Sequence, residues 1–87
     1  MSVPFYVYIL LCSDGSFYTG YTKNLEERTR FHESGKGARY TRIHKPKRVV
    51  YVELFNSRAK AMKRENAIKK LSHQQKLNLI NSRNTYK

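Results

Sequence analysis

The chain has 87 residues, enough for one small domain, and carries a formal net charge of +12 from 18 Lys and Arg against 6 Asp and Glu. A chain this short builds only a modest core, and a charge surplus this large favours a polyanionic partner, nucleic acid ahead of an anionic membrane. A single cysteine, Cys12, excludes an intramolecular disulfide and suits a reducing cytoplasm, the apolar run at residues 3–11 is too short to span a membrane and lacks the marks of a signal peptide, and Cys12, His32, His44 and His73 make no zinc spacing.

The first element is a β-rich apolar run, residues 5–11 (FYVYILL), which ends at the turn signal Ser13-Asp14-Gly15. Residues 17–22 (FYTGYT) return as a second strand. Two hairpin loops compete. A two-residue Asp14-Gly15 turn pairs Ser13 with Ser16 and puts Tyr8 and Tyr18 on opposite faces. A three-residue loop with Gly15 in a left-handed bulge position pairs Cys12 with Ser16, sets Tyr8 opposite Gly20 and Leu10 opposite Tyr18, and turns both phenols to one side. The hydrophobic pattern arbitrates, because a one-residue slip inverts a strand's faces. The three-residue loop collects Phe5, Val7, Ile9, Leu11, Phe17, Thr19 and Tyr21 on a nearly continuous core face. It leaves Tyr6, Tyr8, Leu10, Tyr18, Gly20 and Thr22 on the other, and it is the register preferred.

Residues 24–34 read as a helix with Thr22 or Asn24 as cap, Glu26 and Glu27 at its positive end and Gly35 to close it. Leu25, Arg28 and His32 share one stripe, with Arg28 and His32 one turn apart. Residues 35–48 (GKGARYTRIHKPKR) form a Gly- and Pro-punctuated loop, basic throughout. Such runs are often only solvated surface. Here Lys36, Arg39, Arg42, Lys45, Lys47 and Arg48 can track phosphates while Tyr40 stacks on a base, making the loop a nucleic-acid-binding arm. Residues 49–55 (VVYVELF) are a third strand, with Val50, Val52 and Leu54 on one face. Ser57 caps a long basic helix, residues 58–71, in which Ala61, Glu65, Ile68 and Ser72 form one stripe. Glu65, its one acid, sits there on a semi-apolar side; a surface ion pair with Lys69 is its structural use. Ser72 and Gln75 form a capping box for a last helix carrying Leu77, Leu79 and Ile80, and the tail from residue 82 is expected to fray.

Two phenols on one sheet face, an Arg and a His on the next helix and an isolated Glu on a third element suffice for metal-assisted phosphodiester hydrolysis. A carboxylate anchors a divalent ion, an Arg offsets charge developing on phosphoryl oxygens, and a phenol works as a base where a neighbour lowers its pKa. The order of these residues is similar to a known pattern. YVY at residues 6–8, YTG at 18–20, LxxRxxxH at 25–32 and a later helical Glu resemble the GIY-YIG endonuclease domain. GKGARYTR at residues 35–42 resembles the loop of its small stand-alone bacterial members. The resemblance covers residues 6–80, nearly the whole chain.

The resemblance implies an α+β fold, an α/β sandwich with a small three-stranded antiparallel sheet and flanking helices in the order β-β-α-β-α-α, as one domain over residues 1–87 with its core at 5–81. It implies that Tyr8, Tyr18, Arg28, His32 and Glu65 line one active site, that Glu65 holds one Mg²⁺ or Mn²⁺, and that the substrate is nucleic acid, DNA first, in repair or recombination. A monomer is expected. A protein partner is the complement, since so short a chain has little surface for reading sequence. The chain departs from the pattern at Tyr6, Val7 and Thr19, all tolerable in strands. It also departs at Tyr21, which stands where the family's excision-repair nucleases carry a lysine. That substitution leaves a second reading, a nucleic-acid-binding module that keeps the fold without the chemistry.

Overall fold

A computed structural model describes residues 4–35 and 39–82. The elements are β1 (Phe5–Cys12), β2 (Phe17–Thr22), α1 (Leu25–Glu33), α2 (Arg39–Ile43), β3 (Pro46–Phe55), α3 (Arg58–Lys69) and α4 (His73–Ser82). The three strands form one antiparallel sheet in the order β2-β1-β3. This is the α+β arrangement that the sequence predicts, with one addition: the basic loop contains the five-residue helix α2. Too short for any periodic signature, α2 is invisible to pattern reading. The third strand also begins three residues earlier than the apolar run implies, at Pro46, a position at which a strand tolerates proline.

The hairpin turns through the three-residue loop. Tyr8 stands opposite Gly20 and Leu10 opposite Tyr18. The Cys12 amide donates to the Ser16 carbonyl at 2.8 Å and the Gly15 amide to the Cys12 carbonyl at 2.9 Å. Gly15 takes φ +86°, a left-handed value that a side chain would resist, which is why the loop ends on glycine. Asp14 stabilises the turn by accepting from the Ser16 amide at 3.0 Å.

The core sits between the sheet and the C-terminal helices. Val7, Ile9, Tyr51, Ala61 and Ile68 are buried together, with Phe5, Phe17, Tyr21, Phe55, Leu79 and Ile80 packed around them. Alternation accounts for the β1 and β2 contributions. β3 differs from the sequence expectation, because Tyr51 and Phe55 lie on the core side while Leu54 is exposed. A register step between Ile9 and Leu10 makes Val50 the extra residue of a bulge, so it too packs on the core although Val52 stands opposite Tyr8. Glu53 alternates onto the same side as Tyr51 and is paired with Arg64 of α3 through a bidentate contact, Nε donating to Oε1 at 3.0 Å and Nη2 to Oε2 at 3.0 Å. A carboxylate facing a helix is tolerable where it is paired in this way.

The other sheet face is not open, as a solvated row of phenols would require. Tyr8 is 2% exposed and Leu10 fully covered, and α1 lies against Tyr8 with its one buried side chain, His32. Asn24 caps α1 by accepting from the Glu27 amide at 3.0 Å, and Thr22 Oγ1 accepts from the Asn24 amide. The turn between β2 and α1 is therefore held by the two residues expected to cap. The capping box of α4 forms reciprocally, with the Ser72 amide donating to Gln75 Oε1 at 2.9 Å and the Gln75 amide to Ser72 Oγ at 3.1 Å. Ser82 ends α4; the rest of the tail lies outside the described residues.

Candidate active site

One cleft of about 620 Å³ takes its walls from four elements, and Tyr8, Tyr18, Arg28, His32 and Glu65 all line it. β1 and β2 supply the phenols from the shared hairpin face, α1 supplies Arg28 and His32 from one stripe, and α3 supplies Glu65. The cleft also draws on Phe5 and Tyr21 from the opposite hairpin face. Both faces contribute because β2 is an edge strand, so residues from its two sides meet beyond it.

The centre is an aromatic cluster. The Tyr8 hydroxyl and His32 Nε2 form a buried hydrogen bond of 3.0 Å. The Tyr18 ring centroid lies 5.2 Å from that of His32, edge-on, and 6.5 Å from that of Tyr8. Gly20 makes this possible: a Cβ there would stand 2.5 Å from the Tyr8 oxygen and 2.8 Å from its Cζ. Burial raises the Tyr8 pKa, with Tyr18 adding to the effect and Arg28 opposing it. Burial likewise raises Tyr18, assisted by Glu65. His32 moves down, first through burial and then through the Arg28 charge. The pair at the centre is thus a protonated phenol beside an uncharged imidazole.

Glu65 Oε2 lies 3.4 Å from Lys69 Nζ, so the surface ion pair expected of these residues does form. Its side chain is 14% exposed and faces the cleft. Among the described residues no group of three or more His, Cys, Asp or Glu side chains could hold a metal ion. One carboxylate fits an ion of the Mg²⁺ type, which keeps several waters and completes its shell with substrate phosphate. It does not fit a preformed cage.

The basic arm divides. The Tyr40 ring lies 5.8 Å from Tyr18 and stacks on His44 at 4.3 Å, and His44 pairs with Asp14 of the hairpin turn. Tyr40 thereby extends the aromatic cluster outward. Arg42, Lys45, Lys47 and Arg48 are exposed on α2, the link that follows it and the start of β3, and none of them lines the cleft. Lys36 and the side chain of Arg39 lie outside the described residues. Two cations that the sequence reading assigns no role, Lys23 and Arg58, do line it, along with Asn24 and Glu27. Lys23 was visible as the residue between the second strand and the α1 cap. Arg58 had no signal, because its approach depends on how α3 crosses the sheet.

The model of the GIY-YIG catalytic domain matches residues 4–78. The chain belongs to the GIY-YIG family. Members of that family are in general endonucleases. Small bacterial GIY-YIG relatives align almost end to end. A UPF0213 protein of Staphylococcus haemolyticus is 53% identical over 78 residues, covering 90% of this chain and 95% of its own. A UPF0213 protein of Clostridium perfringens is 53% identical over 78 residues, covering 90% and 84%. Two solution NMR structures are similar: the UPF0213 protein BH0048 of Bacillus halodurans, 47% identical, with a TM-score of 0.58 over 90% of this chain and 83% of that one, and a protein of E. faecalis, 42% identical, with a TM-score of 0.63 over 94% and 90%. Among the described residues no helix is long and apolar enough to cross a membrane.

Proposed function

We propose that this GIY-YIG protein is a divalent-metal-dependent endonuclease that hydrolyses phosphodiester bonds of nucleic acid, DNA in the first place, in the cleft between α1 and α3. The observation that carries the reading is the convergence of two phenols, an imidazole, a guanidinium and a carboxylate from four elements in one cleft. The charge of +12 supplies the attraction for the polyanion.

In this reading Tyr8 and His32 act as a relay. A water attacks phosphorus and gives its proton to the Tyr8 oxygen as the Tyr8 proton passes to His32 Nε2. The new O–P bond forms while the bond from phosphorus to the sugar oxygen breaks, and the departing oxygen takes a proton from solvent. The lowered pKa of His32 keeps its ring uncharged, the form that can take up a proton. A lone Tyr8 phenolate is disfavoured by its raised pKa, so the imidazole is what makes the phenol a usable base. Arg28 offsets the charge on the non-bridging oxygens, and Tyr18, half-buried beside it, orients the phosphate or the water. Glu65 would hold Mg²⁺ or Mn²⁺, which when bound polarises the phosphate and steadies the leaving oxygen.

The test is incubation with branched, flapped and single-stranded DNA, with either metal or with chelator, beside Glu65→Ala and Arg28→Ala. Metal-dependent nicking that each substitution lowers at least about a hundredfold is expected. No nicking, or equal nicking by the variants, overturns the reading. Salt-sensitive binding that Glu65→Ala leaves intact, without any cleavage, favours the binding-module alternative that Tyr21 motivates. The further attributes of the proposal are a single-domain monomer, a reducing cytoplasm and a task in DNA repair or recombination.

A further inference from the structure

Three cations line the cleft and all three are seated on aromatic rings. The Arg28 guanidinium lies 5.5 Å from the Phe31 centroid. Lys23 Nζ lies 5.7 Å and the Arg58 guanidinium 5.8 Å from the centroid of one ring, that of Phe5. Three other cations meet acids instead: Arg30 pairs with Glu26, Arg64 with Glu53 and Lys69 with Glu65. Among the described residues neither Lys23 nor Arg58 makes an ion pair, although Glu27 shares the cleft.

The difference has a chemical consequence. An acid partner neutralises a cation; a ring quadrupole holds it in place and leaves its charge available to an anion. Lys23 and Arg58 come from the β2–α1 junction and the first turn of α3, two places far apart in the chain, and Phe5 is what gathers them.

We infer that Lys23 and Arg58, seated on Phe5, form a second phosphate subsite, which grips the phosphate neighbouring the one held by Arg28. The inference rests on the reading of the cleft as a phosphodiester site. It adds a claim about register: the strand lies along the cleft with one phosphate at Arg28 and the next at Phe5. Lys23 and Arg58 are binding and positioning residues in this scheme, with no part in proton transfer.

The experiment measures binding of a fluorescent single-stranded oligodeoxynucleotide to the full chain, without metal, across a salt series. The variants are Lys23→Gln, Arg58→Gln, both together, Phe5→Leu and, as a charge control, Lys63→Gln, which lies outside the cleft on α3. Lys23→Gln and Arg58→Gln are each expected to weaken binding several-fold at low salt and to lower the log–log salt slope by about one. Phe5→Leu, which removes no charge, should weaken binding by less than the double variant. Thermal unfolding of each variant separates lost binding from lost fold. Where nicking is measurable, the same substitutions should raise KM and leave the acid limb of the rate profile unmoved.

Cleft variants that match Lys63→Gln in affinity and slope overturn the subsite, and nicking by the wild type would then leave the proposed function standing. A lowered slope in a protein that never nicks keeps the subsite and removes the hydrolytic reading. Wild-type protein that fails to bind the oligonucleotide at low salt removes both.

Discussion

Gly20 lies so close to Tyr8 that an added Cβ would meet the phenolic oxygen at 2.5 Å and the ring carbon behind it at 2.8 Å. The glycine is therefore the floor on which the Tyr8–His32 pair rests. Tyr8 is buried and its hydroxyl is bonded to His32, so any shift away from an added Cβ disturbs that bond. Gly20→Ala should cost about 1–3 kcal/mol of stability and push the hydroxyl off its partner. Activity should fall well beyond what the loss of folded protein explains. Urea unfolding and specific activity measured on the same preparation check this; an alanine variant with unaltered kcat sinks the idea that the pair is tightly placed.

The His32 ring is held below its ordinary pKa of 6.5, by burial and then by Arg28. In the window between the lowered value and 6.5 the unfolded chain binds more protons than the native one, so stability rises with pH there and is lost as pH falls through it. Below the folded-state value the dependence from this group flattens. The same neutral ring is required by the proposed relay, so the acid limb of kcat/KM should also lie below 6.5. Urea midpoints taken from about pH 7 down to about pH 5, beside His32→Gln, test the linkage. An identical pH slope in the variant would show that His32 is not the group responsible.

Arg28 sits over Phe31 at 5.5 Å with its guanidinium facing the cleft. A lysine there keeps the charge but loses the planar fork and the weak hydration that suit a ring and a phosphate together. Arg28→Lys is expected to retain most of the affinity for oligonucleotide and to lose about tenfold or more in kcat. Single-turnover rates and equilibrium binding, measured side by side, separate the two effects. Weaker binding with an unchanged single-turnover rate would place Arg28 in ground-state binding alone.

Thr19 is 3% exposed, and its hydroxyl has no hydrogen-bond partner among the described residues. A buried hydroxyl without a partner costs about 1–3 kcal/mol. Thr19→Val keeps the branched shape that suits the strand and removes the polar atom. It should raise stability by about 1 kcal/mol, or a few degrees in Tm. Thermal denaturation decides this, and a lower Tm would reveal a partner that the static structure lacks.

The parts legible in the sequence were those set by local geometry. Asp14-Gly15 and the alternation around it determine the hairpin register, and the register puts Tyr8 and Tyr18 together. Helical spacing puts Arg28 and His32 on one stripe, and Glu65 stood out as the one acid among many bases. What stayed hidden depends on how elements cross. The burial of Tyr8 follows from α1 lying over the sheet. Tyr51 enters the core because it pairs with Ile9, and a bulge then adds Val50 to the same side. The meeting of Lys23 and Arg58 on Phe5 joins three segments that share no periodicity. Arg42, Lys45, Lys47 and Arg48, read from the sequence as a nucleic-acid-binding arm, lie outside the cleft, because position along the chain says little about where charges after α1 come to lie.

The edge position of β2 bears on which substrates can reach the phenols. The sheet ends there, and the cleft borders that end rather than the interior of a tunnel. Under the proposed function, a polymer can be laid in sideways at any point along its length, with no terminus to be threaded. Covalently closed single-stranded circles should consequently be nicked as readily as linear strands of the same sequence.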